Sequence, residues 1–198
     1  MNNSKKISPD LSSVVHFFYE LGTLRKIPRS HMQTLMTSDL SDNISSHSFR
    51  VCLIGLFLAR LEKADENKVL KMCLFHDVCE SRSGDQNWVH KRYTKVFEDE
   101  IVKDQLQKLP GSTELGLLMQ EYMDRKTAES KIAKDADRLD QTLLEREYVM
   151  MGNIEAKSWG RTNRTNLVTV SAKKLSKLII STPPSDWWTK SLWTEKRR

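Results

Sequence analysis

Apolar residues recur at intervals of three and four along almost the whole chain, and this spacing restricts the folds available to it. It is the period of amphipathic helices, and no segment shows the alternation that is typical of a β-strand. At 198 residues the chain can bury a sizeable core within one domain. We therefore predict an all-α fold, a single-domain helical bundle. The predicted helices cover residues 11–27, 44–62, 65–80, 98–109, 113–126, 128–156 and 168–181.

The two ends of the chain differ from its helical part. Residues 1–10 lack a helical pattern and are predicted to form a flexible tail, whereas residues 11–182 form the helical domain. A Pro-Pro pair ends the last helix, so residues 183–198 are predicted to be a basic, tryptophan-containing C-terminal tail. Residues 157–198 hold ten Lys and Arg against two acidic residues. Such a segment attracts phosphates in general, although a solvated basic end is the simpler explanation.

The sequence predicts a cytoplasmic protein without a membrane span. The longest apolar run, Val51–Ala59, is bounded by Arg50 and Arg60 and is too short to cross a bilayer. The first residues lack the apolar segment of a secretory signal. Cysteines odd in number and scattered through helical patterns favour a reducing compartment over a disulfide framework. These cysteines are Cys52, Cys73 and Cys79.

The stretch "CLFHDVCE" places ionisable residues inside an otherwise apolar predicted helix. Such groups are costly in a core unless they are paired or bind a metal. Glu80 follows His76 by four residues and Asp77 by three, so continued helix would put it on their face. His47 and Asp137, on two other predicted helices, could complete the set. Two imidazoles and two carboxylates suit a divalent ion such as Mn²⁺, Co²⁺, Fe²⁺, Zn²⁺ or Mg²⁺.

The same residues also have an ordinary structural explanation. A core histidine is more often hydrogen-bonded than metal-bound, and a His-Asp dipeptide alone is weak support for a site. Asp135, Asp137 and Asp140 could simply form the solvent-exposed face of a helix. Spacing permits convergence on one ion but does not require it, so both explanations stay open at this point.

Three motifs resemble those of a known family. They are "SHSFRV" at residues 46–51, "FHDVCESRSGD" at 75–85 and "KDADRLDQ" at 134–141. Their residues and order look like the H…HD…D pattern of the HD-domain superfamily of metal-dependent phosphohydrolases. The match is closest to the small branch that contains the 5′-deoxynucleotidases. The resemblance covers about residues 11–156, which is most of the chain.

The resemblance implies an all-α HD-type fold and one divalent metal ion as the cofactor. The residues that fall on its metal-ligand positions are His47, His76, Asp77 and Asp137. Members of the branch are often homodimers, so we expect a homodimer here. The identity of the ion stays open.

Two further carboxylates match acidic positions of the branch, Glu80 and Asp85. The resemblance implies that Glu80 assists water or proton transfer, and that Asp85 contacts the substrate or acts as an acid or base. A carboxylate close to a metal could orient or deprotonate the attacking water. The alternative for Glu80 is a supporting role, in which it holds one histidine tautomer.

Four residues are predicted to contact the substrate. Arg29, in "IPRSHMQ", matches a substrate-proximal position of the branch, and its guanidinium would bind phosphate. From the sequence alone, a surface arginine in a loop is the simpler explanation. Lys134 would bind phosphate charge or remain a solvated helix residue. After the Gly-Asp pair the chain departs from the proline-rich turn of the branch. That segment offers Trp88 for base stacking and Arg92 for phosphate, unless it packs on the surface as an ordinary loop.

These features predict a metal-dependent phosphohydrolase whose substrate is a small nucleotide. The favoured reaction is hydrolysis of a (deoxy)nucleoside 5′-monophosphate to nucleoside and phosphate. One alternative keeps the site but acts on a nucleoside triphosphate, a cyclic nucleotide or a signalling nucleotide. The other is a non-catalytic helical module in which the metal is structural and the basic tail binds nucleic acid, a reading that the apparently intact motifs do not favour.

Overall fold

A computed structural model describes residues 10–190 and confirms the all-α prediction. Within that range the backbone forms no β-strand, only one isolated antiparallel bridge between Pro28 and Asn43. A 3-10 turn covers Leu24–Lys26. The helices are α1 (Leu11–Leu21), α2 (Met32–Leu35), α3 (Ile44–Glu62), α4 (Glu66–Phe75), α5 (Glu80–Ser83), α6 (Trp88–Tyr93), α7 (Glu98–Leu106), α8 (Ser112–Asp124), α9 (Ala128–Met150), α10 (Ala156–Trp159), α11 (Arg161–Thr165), α12 (Val170–Ser181) and α13 (Asp186–Thr189).

Side-chain caps determine where several of these helices begin. Asn43 starts α3 with a capping box, because its side chain accepts from the Ser46 amide while Ser46 accepts from the Asn43 amide. Single side-chain caps begin α1, α4, α6, α9 and α12, and they are supplied by Asp10, Asp65, Asn87, Thr127 and Thr169. The predicted starts at residues 11, 44, 98 and 128 agree with α1, α3, α7 and α9, whereas no predicted helix begins at the short helices α2, α5, α6, α10, α11 and α13.

The long helix ends earlier than its sequence pattern predicts. We expected it to continue to residue 156, but α9 stops at Met150. Gly152 has a φ of 93°, a value that glycine adopts without steric cost and that interrupts the helix. The released segment forms the short helices α10 and α11, which pack back onto α9.

The core forms around α3, which packs against α4 and α9, with α8 and α12 closing the bundle. Gly55 allows the close approach of these helices. A Cβ atom at this position would lie 2.5 Å from Cys73 Sγ and 3.2 Å from Val69 Cγ1, both on α4. Because Gly55 has no side chain, α3 can pack close to α4, and His47 on α3 then lies near His76, which follows α4.

Helix α3 has a second, apolar face that points outwards. Its exposed side chains, hereafter the α3 stripe, are Phe49, Leu53, Phe57 and Leu61. By length and composition alone α3 could cross a membrane, and among the described helices it is the one that meets this test. Its opposite face belongs to the protein core, where it contacts α4 and α9.

The helix predicted over residues 65–80 ends before the His76-Asp77 pair, so this prediction is wrong at its C-terminal end. Helix α4 stops at Phe75, and Glu80 begins the separate helix α5. The Nδ1 atom of His76 bonds the Cys73 carbonyl at 2.8 Å, and in a continuous helix that carbonyl would bond the Asp77 amide. The side chain thus competes with the helix, and Glu80 reaches the site from a new helix and not by four-residue spacing.

The predicted tails are described only in part. Residues 1–9 and 191–198, including Trp193, lie outside the described residues. Trp187 and Trp188 lie on α13 with their ring centroids 5.4 Å apart, edge to face, and both side chains are mostly exposed. The division into a central domain and two tails stays a prediction.

Candidate metal centre and adjoining cleft

Four side chains from three separate parts of the chain meet at one point. His47 comes from α3, His76 follows α4, and Asp137 comes from α9, and one ligand atom of each lies within 4.8 Å of the others. The Nε2 atoms of His47 and His76 are 3.3 Å apart. Asp77 Oδ2 lies 3.4 Å from Nε2 of His47 and 3.1 Å from that of His76. The structure therefore brings the four predicted ligands together, and their role as ligands stays a prediction.

Hydrogen bonds orient both imidazoles towards this point. Nδ1 of His47 lies 2.6 Å from Asp140 Oδ2, and Nδ1 of His76 lies 2.8 Å from the Cys73 carbonyl oxygen. Carboxylates and carbonyls only accept hydrogen bonds, so each Nδ1 is the donor, and in the neutral imidazole Nε2 is then the nitrogen with the lone pair. Arg50 Nε in turn binds the other oxygen of Asp140. This is the arrangement that supports metal-binding histidines.

The alternative of a solvent-exposed aspartate face on α9 is wrong. Asp135, Asp137 and Asp140 are all buried. Asp135 accepts hydrogen bonds from the Val168 amide and from the amide and hydroxyl of Thr169. It therefore anchors the start of α12, whereas Asp140 orients His47 and Asp137 faces the candidate metal centre.

The charge of the cluster suits a cation. Burial alone would lower the pKa of His47, but hydrogen-bonded carboxylates raise that pKa well above its ordinary value. These carboxylates are Asp137, Asp140 and Asp77. Burial opposes ionisation of Asp77, but His76 and His47 hold its pKa well below the usual range. The raised pKa means that His47 holds a proton on Nε2, which a cation would displace. Ionised carboxylates and deprotonated Nε2 atoms form a donor set that fits a divalent metal ion, whose identity the donor set leaves unresolved.

Two neighbours on α9 also hold the carboxylate of Asp137. Lys134 Nζ lies 2.5 Å from Asp137 Oδ2, and Gln141 Nε2 donates to Oδ1 at 3.1 Å. Lys134 thus positions Asp137 in this structure. Its predicted contact with substrate phosphate stays a prediction.

Arg29 connects the cluster to Asp85, one of the two carboxylates predicted to act in catalysis. Its NH1 donates to Asp77 Oδ2 at 3.1 Å, and its Nε lies 3.4 Å from Asp85 Oδ2. Asp85 also accepts a hydrogen bond from the Ser30 amide at 2.7 Å. Because Arg29 is buried, its guanidinium is fixed beside the site and is not a mobile surface group.

Glu80 has an unusual environment for a carboxyl group. Burial raises its pKa to about 9, and the negative charges of Asp77 and Asp85 add to this effect. Its Oε2 atom is buried and has no hydrogen-bond partner among residues 10–190. A carboxyl that is neutral near pH 7 and carries an unused oxygen is available for proton transfer.

A cavity of about 600 Å³ adjoins the candidate metal centre. Arg29 and Gln141 line it, and these two residues contact Asp77 and Asp137 respectively. Its volume is in the range of small-molecule sites, about 300–1,000 Å³. Other side chains on its walls are His31, Asp85, Gln86, Asn87, Trp88, Trp159 and Asn163.

The structure brings one of the two predicted contacts from the α6 segment to this cleft. Trp88 lines it and is 74% exposed, so its ring is accessible. Arg92 instead lies over the ring of Tyr93 beside a separate surface depression. Substrate binding by Arg92 stays a prediction, without support from its position.

The sequence missed several residues of the site. Gln141 lies four residues after Asp137 on α9, so helical spacing could have identified it. The sequence assigns no function to His31, yet it is buried, lines the cleft and pairs with Asp42. Trp159 belongs to the segment whose composition predicts a solvated basic end, and no motif distinguishes it.

Comparison with known proteins identifies the family. The HD domain family model matches residues 21–178. The chain belongs to the HD domain family. This confirms the resemblance and extends it beyond residue 156. As its family implies, the protein is a metal-dependent phosphohydrolase with a divalent ion as its cofactor.

Curated HD domain proteins are similar to this one over most of its length. A 5′-deoxynucleotidase HDDC2 from Dictyostelium discoideum is 30% identical over 151 residues, which are 70% of this chain and 78% of the relative. The Homo sapiens 5′-deoxynucleotidase HDDC2 is 25% identical, covering 69% of this chain and 68% of that protein. A 5′-deoxynucleotidase from Erwinia tasmaniensis is 27% identical, covering 71% and 76%.

Solved structures share the fold. A conserved hypothetical protein from Pyrococcus furiosus superposes with a TM-score of 0.74 at 23% identity, covering 85% of this chain and 99% of its own. A predicted metal-dependent phosphohydrolase from Magnetospirillum magnetotacticum gives a TM-score of 0.58 at 22% identity, covering 88% and 97%. These likenesses support the HD-type helical bundle.

Proposed function

We propose that this HD domain protein hydrolyses (deoxy)nucleoside 5′-monophosphates to nucleoside and inorganic phosphate. The observation that carries the proposal is the meeting of two imidazoles and two carboxylates beside a cleft that contains a buried arginine. The similar proteins named 5′-deoxynucleotidase support this substrate class.

His47, His76, Asp77 and Asp137 would hold the metal ion. When bound there, a divalent ion polarises a phosphoryl oxygen and lowers the pKa of water. Arg29 places a fixed positive charge at the junction of cluster and cleft, where it would bind the phosphate and offset its charge. Proton transfer and orientation of the substrate would depend on two carboxyl groups of the protein.

Glu80 and Asp85 would manage proton transfer and substrate orientation. Attack of water on phosphorus breaks the bond to the 5′ oxygen, and that oxygen must gain a proton. Glu80 transfers this proton, because its buried Oε2 has no partner within the described residues. Asp85 is held by the Ser30 amide beside Arg29, and from there it would accept a hydrogen bond from the substrate.

A phosphate-release screen tests this function. Purified protein is incubated with Mn²⁺, Co²⁺ or Mg²⁺ and with nucleoside monophosphates, triphosphates and cyclic nucleotides. We expect inorganic phosphate and free nucleoside from the deoxynucleoside monophosphates. Release of pyrophosphate or tripolyphosphate from triphosphates would instead support the alternative substrates. Salt-dependent binding of DNA or RNA without any turnover would support a non-catalytic module.

We also propose that the protein forms a homodimer through the α3 stripe. A row of large apolar side chains along one helix is unusual on the surface of a monomer. A second copy of the same stripe would cover it, as in two-fold symmetric interfaces.

Light scattering coupled to size exclusion tests the dimer. We expect twice the chain mass of 23.0 kDa for the wild type and the monomer mass for Phe57→Lys, because a charge would be buried in the interface. Leu178→Lys, on the exposed face of α12, is the matched control and should stay dimeric. A monomeric wild type, or a dimeric Phe57→Lys variant, would exclude this interface.

We also propose that the protein is located in the cytoplasm. The free cysteines Cys52, Cys73 and Cys79 are all buried, and no disulfide forms among the described residues. Burial raises the pKa of the Cys79 thiol to about 12, so this thiol stays protonated and unreactive. Buried, unpaired thiols suit a reducing compartment.

A further inference from the structure

The short helices α10 and α11 form a wall of the cleft that lies outside all three sequence motifs. Trp159 of α10 and Asn163 of α11 both line the cavity. The wall is fixed to α9 by three polar contacts, so it is a preformed surface. These contacts are the Arg164–Glu145 ion pair, the hydrogen bond from Arg138 to the Asn166 carbonyl, and the hydrogen bond from Asn163 to Gln141.

A chain of hydrogen bonds fixes the orientation of the Asn163 amide. Asp137 is a carboxylate and can only accept, so Gln141 must present its Nε2 to it, at 3.1 Å. Gln141 Oε1 then faces Asn163, which must donate its Nδ2, at 2.7 Å. The remaining atom, Asn163 Oδ1, accepts no hydrogen bond from the described residues. It is the unused acceptor of a residue that lines the cleft.

Trp159 is held in place by buried neighbours. Its ring centroid lies 4.6 Å from that of His31, at an interplanar angle of 45°. His31 Nε2 is in turn 2.6 Å from Asp42 Oδ2. An indole that is fixed on one side and borders a cavity gives a base a flat apolar surface to stack on.

We propose that Trp159 and Asn163 form the nucleobase site of the cleft and that Asn163 selects bases with an amino group on the pairing edge. This inference rests on the proposed function. The Oδ1 acceptor can receive a hydrogen bond from the amino group of cytosine or adenine. In uracil or hypoxanthine a carbonyl oxygen stands at that position, and two acceptors would face each other.

Two pairs of substrates that differ at this amino group and at the adjacent ring nitrogen test the inference. We expect kcat/KM to be about tenfold higher for dCMP than for dUMP, and for dAMP than for dIMP, as one hydrogen bond allows. In Asn163→Ala both ratios should fall to about one, through loss of rate on the amino substrates. Trp159→Leu should raise KM for all four substrates and leave the ratios intact. Thr165→Ala, on the same helix but outside this cleft, is the matched control.

A binding measurement does not depend on the folding of any variant. Calorimetry on the metal-loaded wild type should show about tenfold tighter binding of deoxycytidine than of deoxyuridine, neither of which carries a phosphate. Equal binding, wild-type ratios near one, or ratios that Asn163→Ala leaves unchanged would overturn the inference while the nucleotidase function stands. A uniform loss of rate on all four substrates would also overturn it, because Asn163 would then only position Gln141. If no nucleotide is turned over, the proposed function itself fails.

Discussion

Replacing Asp77 with alanine should remove both the bound metal ion and the hydrolytic activity. Asp77 Oδ2 lies 3.4 Å and 3.1 Å from the Nε2 atoms of His47 and His76, so the variant would lose one of the two proposed carboxylate ligands. A catalytic metal supplies several kcal/mol of transition-state stabilisation, so we expect kcat/KM to fall by about 1,000-fold or more. Elemental analysis and phosphate release measure the two losses on the same sample.

The variant needs two companions, because Asp77 also neutralises the buried Arg29. Asp77→Asn keeps the volume of the side chain and should lose the metal while it keeps the fold better than alanine does. Asp99→Ala removes an exposed acid on α7 and should retain metal and rate. An Asp77→Ala protein that turns over substrate normally without metal would refute the assignment of Asp77 as a ligand.

Replacing Glu80 with glutamine should separate chemistry from metal binding. Glutamine has the shape of the protonated carboxyl group but cannot transfer its proton. We therefore expect kcat to fall by about 100-fold to 10,000-fold with unchanged metal content and little change in KM. Single-turnover kinetics and elemental analysis provide the measurement.

The melting temperature of the Glu80→Gln variant is the control for this prediction. Because burial and two neighbouring acids raise the pKa of Glu80 to about 9, the folded protein must keep this group protonated at neutral pH. A neutral glutamine avoids that requirement, so the melting temperature at pH 7 should not drop. A variant with wild-type kcat would remove Glu80 from the mechanism, and one that lost its metal would give Glu80 a supporting role instead.

Local patterns account for what the sequence could predict. The spacing of apolar residues alone recovers α3 with the bounds Ile44–Glu62. The family motifs name four residues that the fold then brings together, although they are up to 90 positions apart in the chain, as His47 and Asp137 show. Motifs succeed here because each one lies on a helix or helix end that packs against the same centre.

Long-range contacts account for what the sequence could not predict. The break after Phe75 depends on the His76 side chain bonding the Cys73 carbonyl, a competition that helical spacing does not reveal. The sequence pattern around Asp140 is that of a surface residue. Its burial depends on tertiary contacts with His47 and Arg50 of α3. Trp159 and Asn163 line the cleft only because the chain turns back at Gly152 and places α10 and α11 on α9.

Anomalous diffraction from crystals grown with Zn²⁺ tests the shared metal centre most directly. We predict one strong peak bounded by Nε2 of His47 and His76 and by carboxylate oxygens of Asp77 and Asp137, at about 2.0–2.2 Å from each. A map with no peak between these four side chains, in crystals whose surface sites do bind Zn²⁺, would contradict the account.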